Sequence, residues 1–307
     1  MMPVDRLPAP LVSVGVPVYN GGRYLRRALD ALLAQDWPAL EIIVSDNAST
    51  DDSLSIAEAY AAHDPRVRVV RSSVNAGFEA NFSRVLVVAE GAYFMWAACD
   101  DWWHPLFVRR MVEALDRTPQ AVVAMSAVER VNEAGRVIDI VRFEGRSDPS
   151  TMTSWQLAMR LAGGRPYHLF VYGLFRTAFI KQAFTGFAAV IASDRLLMCR
   201  IAMAGRFAYV DDVLHRRLVR DLPIAERYAN EALGRLWRGA RPRWRLAFAA
   251  GPYLWRSPVL PPTRRWWVPA IVLRFMKASL GHTLVRAARS TGFAKIAAAT
   301  HNARPNR

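Results

Sequence analysis

The last quarter of the chain lacks acidic residues. Residues 234–307 contain 13 Arg and 2 Lys but no Asp or Glu, whereas residues 1–233 contain 26 acidic and 26 basic residues. The formal net charge of +15 therefore belongs to residues 234–307. Such one-sided charge predicts an anionic partner surface. Five of the ten tryptophans lie in the same segment, and arginine with tryptophan is typical of a lipid-headgroup interface.

Cysteines and long apolar runs are also scarce. The two cysteines, Cys99 and Cys199, provide no disulfide framework and no C-x-x-C zinc motif, which favours a reducing cytoplasm. The N-terminal sequence has no basic segment followed by an apolar run, so no secretory signal is predicted. The longest clean apolar run of the C-terminal third, Trp266 to Leu273, is far shorter than the ~20 residues of a membrane span. We therefore expect a cytoplasmic protein that is peripheral on the inner face of the membrane.

Strands and helices alternate through the first 130 residues. The apolar run at 11–18 is typical of a buried parallel strand, and further strand–helix units follow it. This alternation predicts a doubly wound, mostly parallel α/β sheet, in which ligands bind at the carboxyl ends of the strands. Polar clusters fall at those ends. They are Tyr19-Asn20, Asp46-Asn47 and Asp100-Asp101.

The alternation changes after residue 130. A hairpin is predicted around Glu133-Ala134-Gly135, because a turn sequence separates two apolar runs. The other elements expected in this half are helices at 155–162 and 195–204 and short strands at 171–175 and 207–210.

The Asp100-Asp101 pair suits a divalent cation. Adjacent carboxylates repel each other unless a cation lies nearby, and a hard ion bound by carboxylates and substrate phosphates fits that need. The pair also fits an ordinary N-cap of the following helix, and taken alone it favours capping.

Asp46 has a similar pair of interpretations. A carboxylate at a strand end can accept a hydrogen bond from a nucleobase or a ribose. The turn that follows supplies Ser49 or Thr50 as a helix cap, with Asp51 and Asp52 in the first turn, but this capping accounts less well for Asp46 itself.

In order and spacing, these motifs resemble the family 2 glycosyltransferases of the GT-A fold over residues 10–220. The resemblance implies a catalytic domain at 1–225, with a nucleotide-sugar-binding half at about 10–130 and an acceptor-binding half at about 131–225. A basic, largely helical tail at 226–307 would follow. The matching motifs are VGVPVYN at 14–20, EIIVSDNASTD at 41–51, NAG at 75–77, CDD at 99–101 and SD at 193–194.

The resemblance also implies roles for single residues. Asp100 and Asp101 look like a metal site for Mg²⁺ or Mn²⁺, with Asp101 the direct ligand, and Asp194 is similar to the catalytic base. Cys99 and Ser193 stand where the family often has acidic residues. The donor-binding residues implied are Pro17, Tyr19, Asn20, Asp46, Asn47, Asn75 and Asp100.

Two further positions follow strand 207–210. His215 lies where some members of this fold carry a third metal ligand, although a lone His beside a basic pair is more often structural. Arg216 and Arg217 either contact the diphosphate or form a solvated basic strand.

The reaction implied is transfer of a sugar from a nucleotide-diphosphate sugar to a hydroxyl group with inversion. The metal neutralises the leaving diphosphate while Asp194 accepts the proton of the attacking hydroxyl. The expected acceptor is a saccharide or a lipid-linked saccharide, in cell-surface polysaccharide or glycolipid synthesis.

Three other function classes fit less well. A sugar-nucleotide nucleotidyltransferase needs a Gly-rich basic loop after the first strand, where this chain has one Arg and no Lys. Nucleic-acid binding is disfavoured because the charge is confined to the tail and no reading module is visible. A non-catalytic nucleotide-sugar-binding homologue would not need the aspartates at 46, 100, 101 and 194.

An apolar stripe at helical spacing follows Pro269. Such a stripe either lies among the acyl chains of a membrane surface or packs on the catalytic domain. Ile271, Phe275 and Val285 fall outside it and blur the polar face. The stripe consists of Leu273, Met276, Leu280, Leu284 and Ala287.

Overall fold

The computed structural model describes residues 8–220, apart from 165, 189 and 191, and residues 242–290, with side chains described for 244–279 of the second range. Nine strands of the described chain form one mixed sheet. In chain order they are β1 (Val12–Val18), β2 (Leu40–Asp46), β3 (Val67–Arg71), β4 (Tyr93–Trp96), β5 (Trp102–Trp103), β6 (Ala121–Val131), β7 (Val137–Val141), β8 (Leu174–Arg176) and β9 (Arg206–Leu218).

Helices cover both sides of the sheet, and short 3-10 helices lie at Gly145–Ser147, Pro149–Thr151, Pro166–Tyr172 and Pro262–Trp267. The α-helices are α1 (Gly22–Leu33), α2 (Ser53–His63), α3 (Phe78–Val87), α4 (Phe107–Arg117), α5 (Ser154–Ala162), α6 (Thr177–Ala183), α7 (Ser193–Ala204), α8 (Pro242–Trp255) and α9 (Val268–Ser290).

The first half of the sheet is parallel. Its strands run in the order β3-β2-β1-β4, and every residue of β1 is buried. A strand buried on both faces needs apolar residues at successive positions, which explains the unbroken Val-rich sequence. The carboxyl ends of β1, β2 and β4 therefore meet at one edge, as the strand–helix alternation predicts.

The second half is mixed. β8 lies antiparallel between β4 and β6, and β9 runs parallel to β6 along most of its length. The strand expected at 171–175 is therefore shorter than predicted: a 3-10 helix occupies 166–172, and the sheet resumes at Leu174. Gly173 marks the change, because a Cβ there would lie 2.4 Å from the backbone oxygen of Ala124.

β9 is longer than the short strand expected at 207–210. It continues to Leu218 because β6 is itself extended by the β6–β7 hairpin, so backbone partners remain available. Pairing with β5 places His215 opposite Trp103. The extension thus carries the basic segment 215–217 into the sheet and up to the edge where β4 ends.

The described part of the basic tail packs against α5 and α7. The inner faces of α8 and α9 are fully buried, and they include Ile271 and Phe275, two of the three residues that blurred the predicted stripe, while Val285 lies outside the described side chains. Leu273 of the stripe points outward and is 66% exposed, whereas Leu280, Leu284 and Ala287 lie outside the described side chains. α9 is thus apolar on two faces, of which one belongs to the core. No helix among the described residues is both long and apolar enough to cross a membrane.

Arg200 fastens the tail to α7. Its side chain is 2% exposed and donates to the backbone oxygens of Ala183 and Tyr253 at 2.9 and 2.7 Å. The guanidinium also lies 3.6 Å from the centre of the Tyr253 ring. Burial lowers the pKa of Arg200, and its hydrogen-bond acceptors among the described residues are two carbonyl oxygens and the Thr185 hydroxyl rather than carboxylates. A buried cation of this kind requires α8 to stay in place.

A second buried polar contact ties β1 to β2 near the opposite edge. Glu41 accepts hydrogen bonds from the hydroxyl of Ser13 and from the backbone N–H of Glu90, the latter at 2.8 Å. The same Ser13 oxygen accepts the N–H of Gly91 at 2.8 Å. Burial raises the pKa of Glu41, but these donors and Arg68 outweigh it and hold the pKa below its usual value.

Replacement of Glu41 by Gln should lower the free energy of unfolding by about 1–2 kcal/mol at neutral pH, because charge-assisted hydrogen bonds are lost. A carboxylate whose pKa is lower in the folded state stabilises above its unfolded pKa, and this contribution disappears as the pH falls through the folded pKa. The difference in free energy of unfolding between the wild type and Glu41→Gln, measured with urea, should therefore be largest at pH 7. It should narrow as the pH falls below about 4. Glu113→Gln, at a side chain that is 41% exposed, is the control, and its free energy of unfolding should equal that of the wild type. A gap that stays constant down to pH 3 would contradict this account.

Candidate functional site

Hydrogen bonds join the loops after β1 and β2. The backbone N–H of Asn20 donates to Ser49 Oγ at 3.0 Å, and Asn20 Oδ1 accepts the N–H of Thr50 at 2.8 Å. Asn20 adopts a left-handed conformation with φ of 50°, which Asn tolerates better than most residues. Its neighbours differ in exposure, since Pro17 is buried within β1 and Tyr19 is half-buried. The two loops therefore form one rigid wall.

The other side of the wall is held by Asn47. Its side-chain amide donates to Asn75 Oδ1 at 2.7 Å and to the backbone oxygen of Gly77 at 3.2 Å. Its Oδ1 accepts the N–H of Ala76 at 3.2 Å. Asn47 and Asn75 thus bind each other and order the segment before α3.

Asp46 ends β2 beneath this wall. The side chain is 2% exposed, and its Oδ2 accepts the N–H of Ser49 at 3.1 Å. Its Oδ1 is buried and has no hydrogen-bond partner among the described residues. An unsatisfied buried carboxylate oxygen is costly, and it marks a position where a ligand N–H or O–H can bind.

Asp100 follows β4 and faces a cation. Its Oδ2 accepts from Arg220 Nε at 3.0 Å and from Nη2 at 2.6 Å, and the Arg220 guanidinium lies 5.5 Å from the centre of the Tyr24 ring. Burial and the charge of Asp101 raise the pKa of Asp100 above its usual value, while Arg220 opposes that rise. Within the described chain, the ion-pair partner of Asp100 is thus Arg220, whose side chain is 40% exposed.

Asp101 is engaged on both oxygens. Its Oδ2 lies 2.9 Å from His215 Nε2, and its Oδ1 accepts the N–H of Leu218 at 3.0 Å. His215 is fully buried and stacks on Trp103 with ring centres 5.2 Å apart and planes 7° apart. The structure thus brings His215 to the predicted metal motif, as a hydrogen-bond partner of Asp101.

Arg217 lies among the aspartates without pairing to one. Burial opposes its charge, yet Tyr172 and the carboxylates of Asp101, Asp194 and Asp100 raise the pKa of Arg217 above its usual value. Its guanidinium lies 5.4 Å from the centre of the Tyr172 ring. Within the described chain it forms no ion pair and no side-chain hydrogen bond.

Arg216 differs from its neighbour because successive residues of a strand point to opposite faces. It pairs with Glu129 and lies 5.4 Å from the centre of the Trp102 ring. The two arginines that the sequence treats as equivalent are therefore distinct: Arg216 is committed to a structural pair, and Arg217 has hydrogen-bonding capacity left.

Asp194 stands in the first turn of α7, half-buried. Its Oδ1 accepts the N–H of Arg195 at 2.8 Å, and Oδ2 makes no hydrogen bond with the described residues. Asp194 influences the pKa of both Tyr172 and Arg217, two groups on which Asp100 and Asp101 also act, despite a separation of more than ninety residues in sequence.

Cys99 lies between the loop after β1 and the Asp100–Asp101 pair. Its Sγ would lie 2.8 Å from a Cβ at Gly21, so the loop after β1 passes directly over it. Burial raises the pKa of the Cys99 thiol to about 12, and the thiol is therefore protonated at neutral pH. A protonated sulfur is a poor ligand for Mg²⁺ or Mn²⁺.

The donor set suits an ion that a substrate helps to hold. Among the described residues there is no group of three or more His, Cys, Asp or Glu side chains placed to bind a metal. Asp100 and Asp101 together supply the one or two carboxylates with which Mg²⁺ and Mn²⁺ are commonly held when phosphates complete their coordination.

Arg220 and Tyr24 are neighbours of the site that the sequence argument did not identify. Arg220 lies 120 residues from its partner Asp100, and a single arginine in a basic chain carries no distinguishing signal. Tyr24 is one of several apolar positions on a helix. Both residues can be assigned to the site only when β9 is known to be long enough to bring residues 215–220 back to the end of β4.

A family model and several curated proteins match the chain. The model of glycosyl transferase family 2 matches residues 13–171, about half of the chain. An uncharacterised protein of Mycobacterium tuberculosis is 39% identical over 121 residues, which are 38% of this chain and 35% of that protein. An uncharacterised glycosyltransferase of Escherichia coli is 30% identical over 167 residues, 54% of this chain and 48% of that one. The chain thus spans less than half the length of either relative.

Two solved structures share the fold. TarS 1–349 of S. aureus in complex with UDP superposes with a TM-score of 0.57 at 19% identity, over 89% of this chain and 91% of that chain. The mannosyltransferase PcManGT of Pyrobaculum calidifontis, in complex with GDP-Man and Mn²⁺, superposes with a TM-score of 0.54 at 21% identity, over 98% and 84%. The predicted α/β sheet of GT-A type is thereby confirmed.

Replacement of Asp101 by Ala should destabilise the fold by about 2–3 kcal/mol, because His215 and the Leu218 N–H lose a buried acceptor. Replacement of Asp100 by Ala should cost less than about 1 kcal/mol, since Arg220 can turn to solvent. A urea-unfolding cycle of Asp101→Ala, His215→Ala and the double variant should give a coupling energy of about 1–3 kcal/mol. Additive losses, or equal costs for the two aspartates, would show that Asp101 is not held by His215.

Proposed function

The chain belongs to glycosyl transferase family 2, and from that membership we propose that it transfers a sugar from a nucleotide-diphosphate sugar to an acceptor hydroxyl with inversion. One observation carries the proposal. Asp100 and Asp101 follow β4 at the carboxyl edge of the sheet, and Asp194, more than ninety residues away in sequence, acts with them on the pKa of Arg217, a cation that has no ion pair among the described residues. The catalytic domain is taken as 1–225 and the tail as 226–307, with residues 221–241 outside the described chain.

The nucleoside would bind at the wall formed by the loops after β1 and β2. Asp46 Oδ1 offers a buried acceptor for an N–H of the base or an O–H of the ribose, which supports its assignment as a donor-binding residue. Pro17, Tyr19 and Asn20 form one side of this wall, and Asn47 and Asn75 hold the other. Because the wall is already hydrogen-bonded, little ordering entropy is lost on binding.

Mg²⁺ or Mn²⁺ would bind at Asp100 and Asp101 beside the diphosphate. Asp100 is the freer ligand, because its side-chain partner among the described residues is Arg220, while His215 and Leu218 fix the orientation of Asp101. We therefore assign His215 a supporting part in the metal site through Asp101. When bound, such an ion neutralises part of the diphosphate charge.

Arg217 would bind the diphosphate as it leaves. Its guanidinium has free donors, and phosphate oxygens suit its planar fork. The surrounding carboxylates keep it charged and in position before substrate arrives. A pre-placed cation stabilises developing negative charge without rearrangement during the reaction.

Asp194 would act as the base. The acceptor oxygen attacks the anomeric carbon, its proton passes to Asp194 Oδ2, and the bond to the diphosphate breaks with its electron pair on the leaving oxygen. Oδ1 accepts the Arg195 N–H, and Oδ2, which has no hydrogen-bond partner among the described residues, is left to accept the proton. One displacement inverts the anomeric centre.

The acceptor is proposed to be a saccharide or lipid-linked saccharide of cell-surface polysaccharide or glycolipid synthesis, reached from the cytoplasmic face of a membrane. The composition of the tail supports this location, since residues 234–307 contain 15 basic and no acidic residues. The proposal includes no nucleic acid as partner.

A thermal-shift screen of UDP- and GDP-sugars, each with and without Mn²⁺, should identify one donor that stabilises the protein only when the metal is present. At about 100 times its Kd, that donor should add about 2.7 kcal/mol to the free energy of unfolding. Arg217→Ala should weaken donor binding about 10- to 100-fold, because charge-assisted hydrogen bonds to phosphate are lost.

Arg216→Ala is the matched control, because the same side chain is removed one residue away on the opposite face of β9. Donor affinity should then stay within about twofold of the wild type. Equal losses in both variants would place the diphosphate elsewhere, and a donor shift that is unaffected by chelation would exclude the metal.

Asp194→Asn should keep donor affinity and lose about 100-fold or more in turnover, because the amide cannot accept the proton. Asp139→Asn controls for an aspartate-to-asparagine change at a position in the β6–β7 hairpin, where Asp139 pairs with Arg130. Product analysis by NMR should show the inverted anomer. Retention of the anomeric configuration would contradict the single displacement and the role of Asp194 in it. Loss of donor affinity with normal turnover of bound donor would show that Asp194 is not the base.

A further inference from the structure

An open apolar groove runs between α8 and α9. Its volume is about 650 Å³, and carbon atoms form most of its surface. Leu273 and Trp255, two of its lining residues, are 66% and 44% exposed. The lining consists of Gly251, Pro252, Trp255, Arg256, Val268, Pro269, Val272, Leu273 and Met276.

The floor of the groove joins the core, and its rim is exposed. α9 buries Ile271 and Phe275, Val272 and Met276 pack partly buried against the core, and Leu273 is left on the exposed side. On α8, Phe248 lies about one and two turns before Gly251 and Trp255, and it is 67% exposed. Apolar side chains at helical spacing in an exposed groove indicate a binding surface.

Glycine gives the groove its depth. Gly251 lies inside α8, where glycine costs about 1 kcal/mol relative to alanine. A Cβ at Gly251 would meet Val272 at 3.8 Å, an ordinary contact, so the core does not require glycine there. A larger side chain at this position would fill the space between the two helices.

Charge identifies the kind of occupant. Arg256 lines the groove and is exposed, and Trp266, in the segment between the two helices, is 78% exposed. A second copy of the chain brings the same charge of +15, and residues 291–307 add further basic residues and no acidic ones. An anionic lipid supplies both an apolar chain and a negative headgroup.

We propose that the α8–α9 groove binds one hydrocarbon chain of an anionic membrane lipid, with Arg256 at the headgroup phosphate. The inference rests on the membrane partner proposed above and is independent of the donor chemistry. It assigns membrane binding to a defined site rather than to a general attraction between a basic tail and the membrane. Exposed Trp266 and Phe248 then lie at the level of the headgroups, where amphipathic rings are favoured.

Co-sedimentation of the full chain with vesicles tests the site without any nucleotide sugar. Wild type should bind vesicles of phosphatidylglycerol and phosphatidylcholine in equal parts, and bind phosphatidylcholine alone at least tenfold less. Arg256→Glu should weaken binding to the anionic vesicles about fivefold or more, as expected for one basic residue near the surface. Leu273→Glu should weaken it more than tenfold.

Gly251→Phe separates chain insertion from surface adsorption. It fills the groove, leaves the charge unchanged and adds apolar surface, so insertion predicts a loss of about tenfold whereas adsorption predicts tighter binding. Val87→Glu and Arg117→Glu place the same substitutions at other exposed positions and should change binding less than twofold. Unfolding temperatures confirm that each variant is folded, and Arg256 and Leu273 are exposed enough for substitution.

Three outcomes would overturn the site. These are unchanged binding by Leu273→Glu and Gly251→Phe, tighter binding by Gly251→Phe, and no vesicle binding by wild type. A dimer of the wild type that Leu273→Glu dissociates, seen by light scattering without vesicle binding, would assign the groove to a second copy. Donor shifts measured on the same variants should stay at the wild-type value, so a failure here leaves the transferase proposal standing.

Discussion

Negative charge crowded at one edge of the sheet is the constraint on which this structure depends. Parallel strands bring their carboxyl ends together, which places Asp100 and Asp101 beside the loop that follows β1, and Asp194 at the start of α7 acts on the same Arg217. Burial and the charge of Asp101 raise the pKa of Asp100, so its ionised form depends on positive neighbours. Arg217 and Arg220 supply this charge from the end of β9, which explains why the strand has to reach back as far as β4.

The two adjacent aspartates, Asp100 and Asp101, differ in how firmly they are held. Asp101 is held on both oxygens by buried partners and serves as a fixed point, since its rotation would leave His215 and the Leu218 N–H without an acceptor. Asp100 is bound by one arginine that can exchange with solvent. A site that must capture and release a charged substrate benefits from having both: a rigid carboxylate that preserves geometry and a replaceable one that changes partners.

The strand–helix alternation was enough to predict the parallel half of the fold and the meeting of residues 46 and 100 at one edge, because both follow from local periodicity. The residues that surround Asp194 could not be predicted in this way. β9 extends through its pairing with β6, a contact between segments some ninety residues apart, and no local pattern reports such a pairing. For the same reason, the sequence could not separate Arg216 from Arg217. Their difference arises from the alternation of a strand whose length was underestimated.

Arg200 has a consequence for how the molecule would work at a surface. It lies on the same helix as Asp194, about 9 Å along the axis, and holds Tyr253 of α8, two residues before Trp255. The helix that presents the carboxylate and the helix that lines the groove are therefore joined by one buried cation. A protein anchored through the groove would hold its active-site edge at a fixed tilt and height relative to the membrane. An acceptor confined to that surface would be met by a two-dimensional search with a fixed angle of approach.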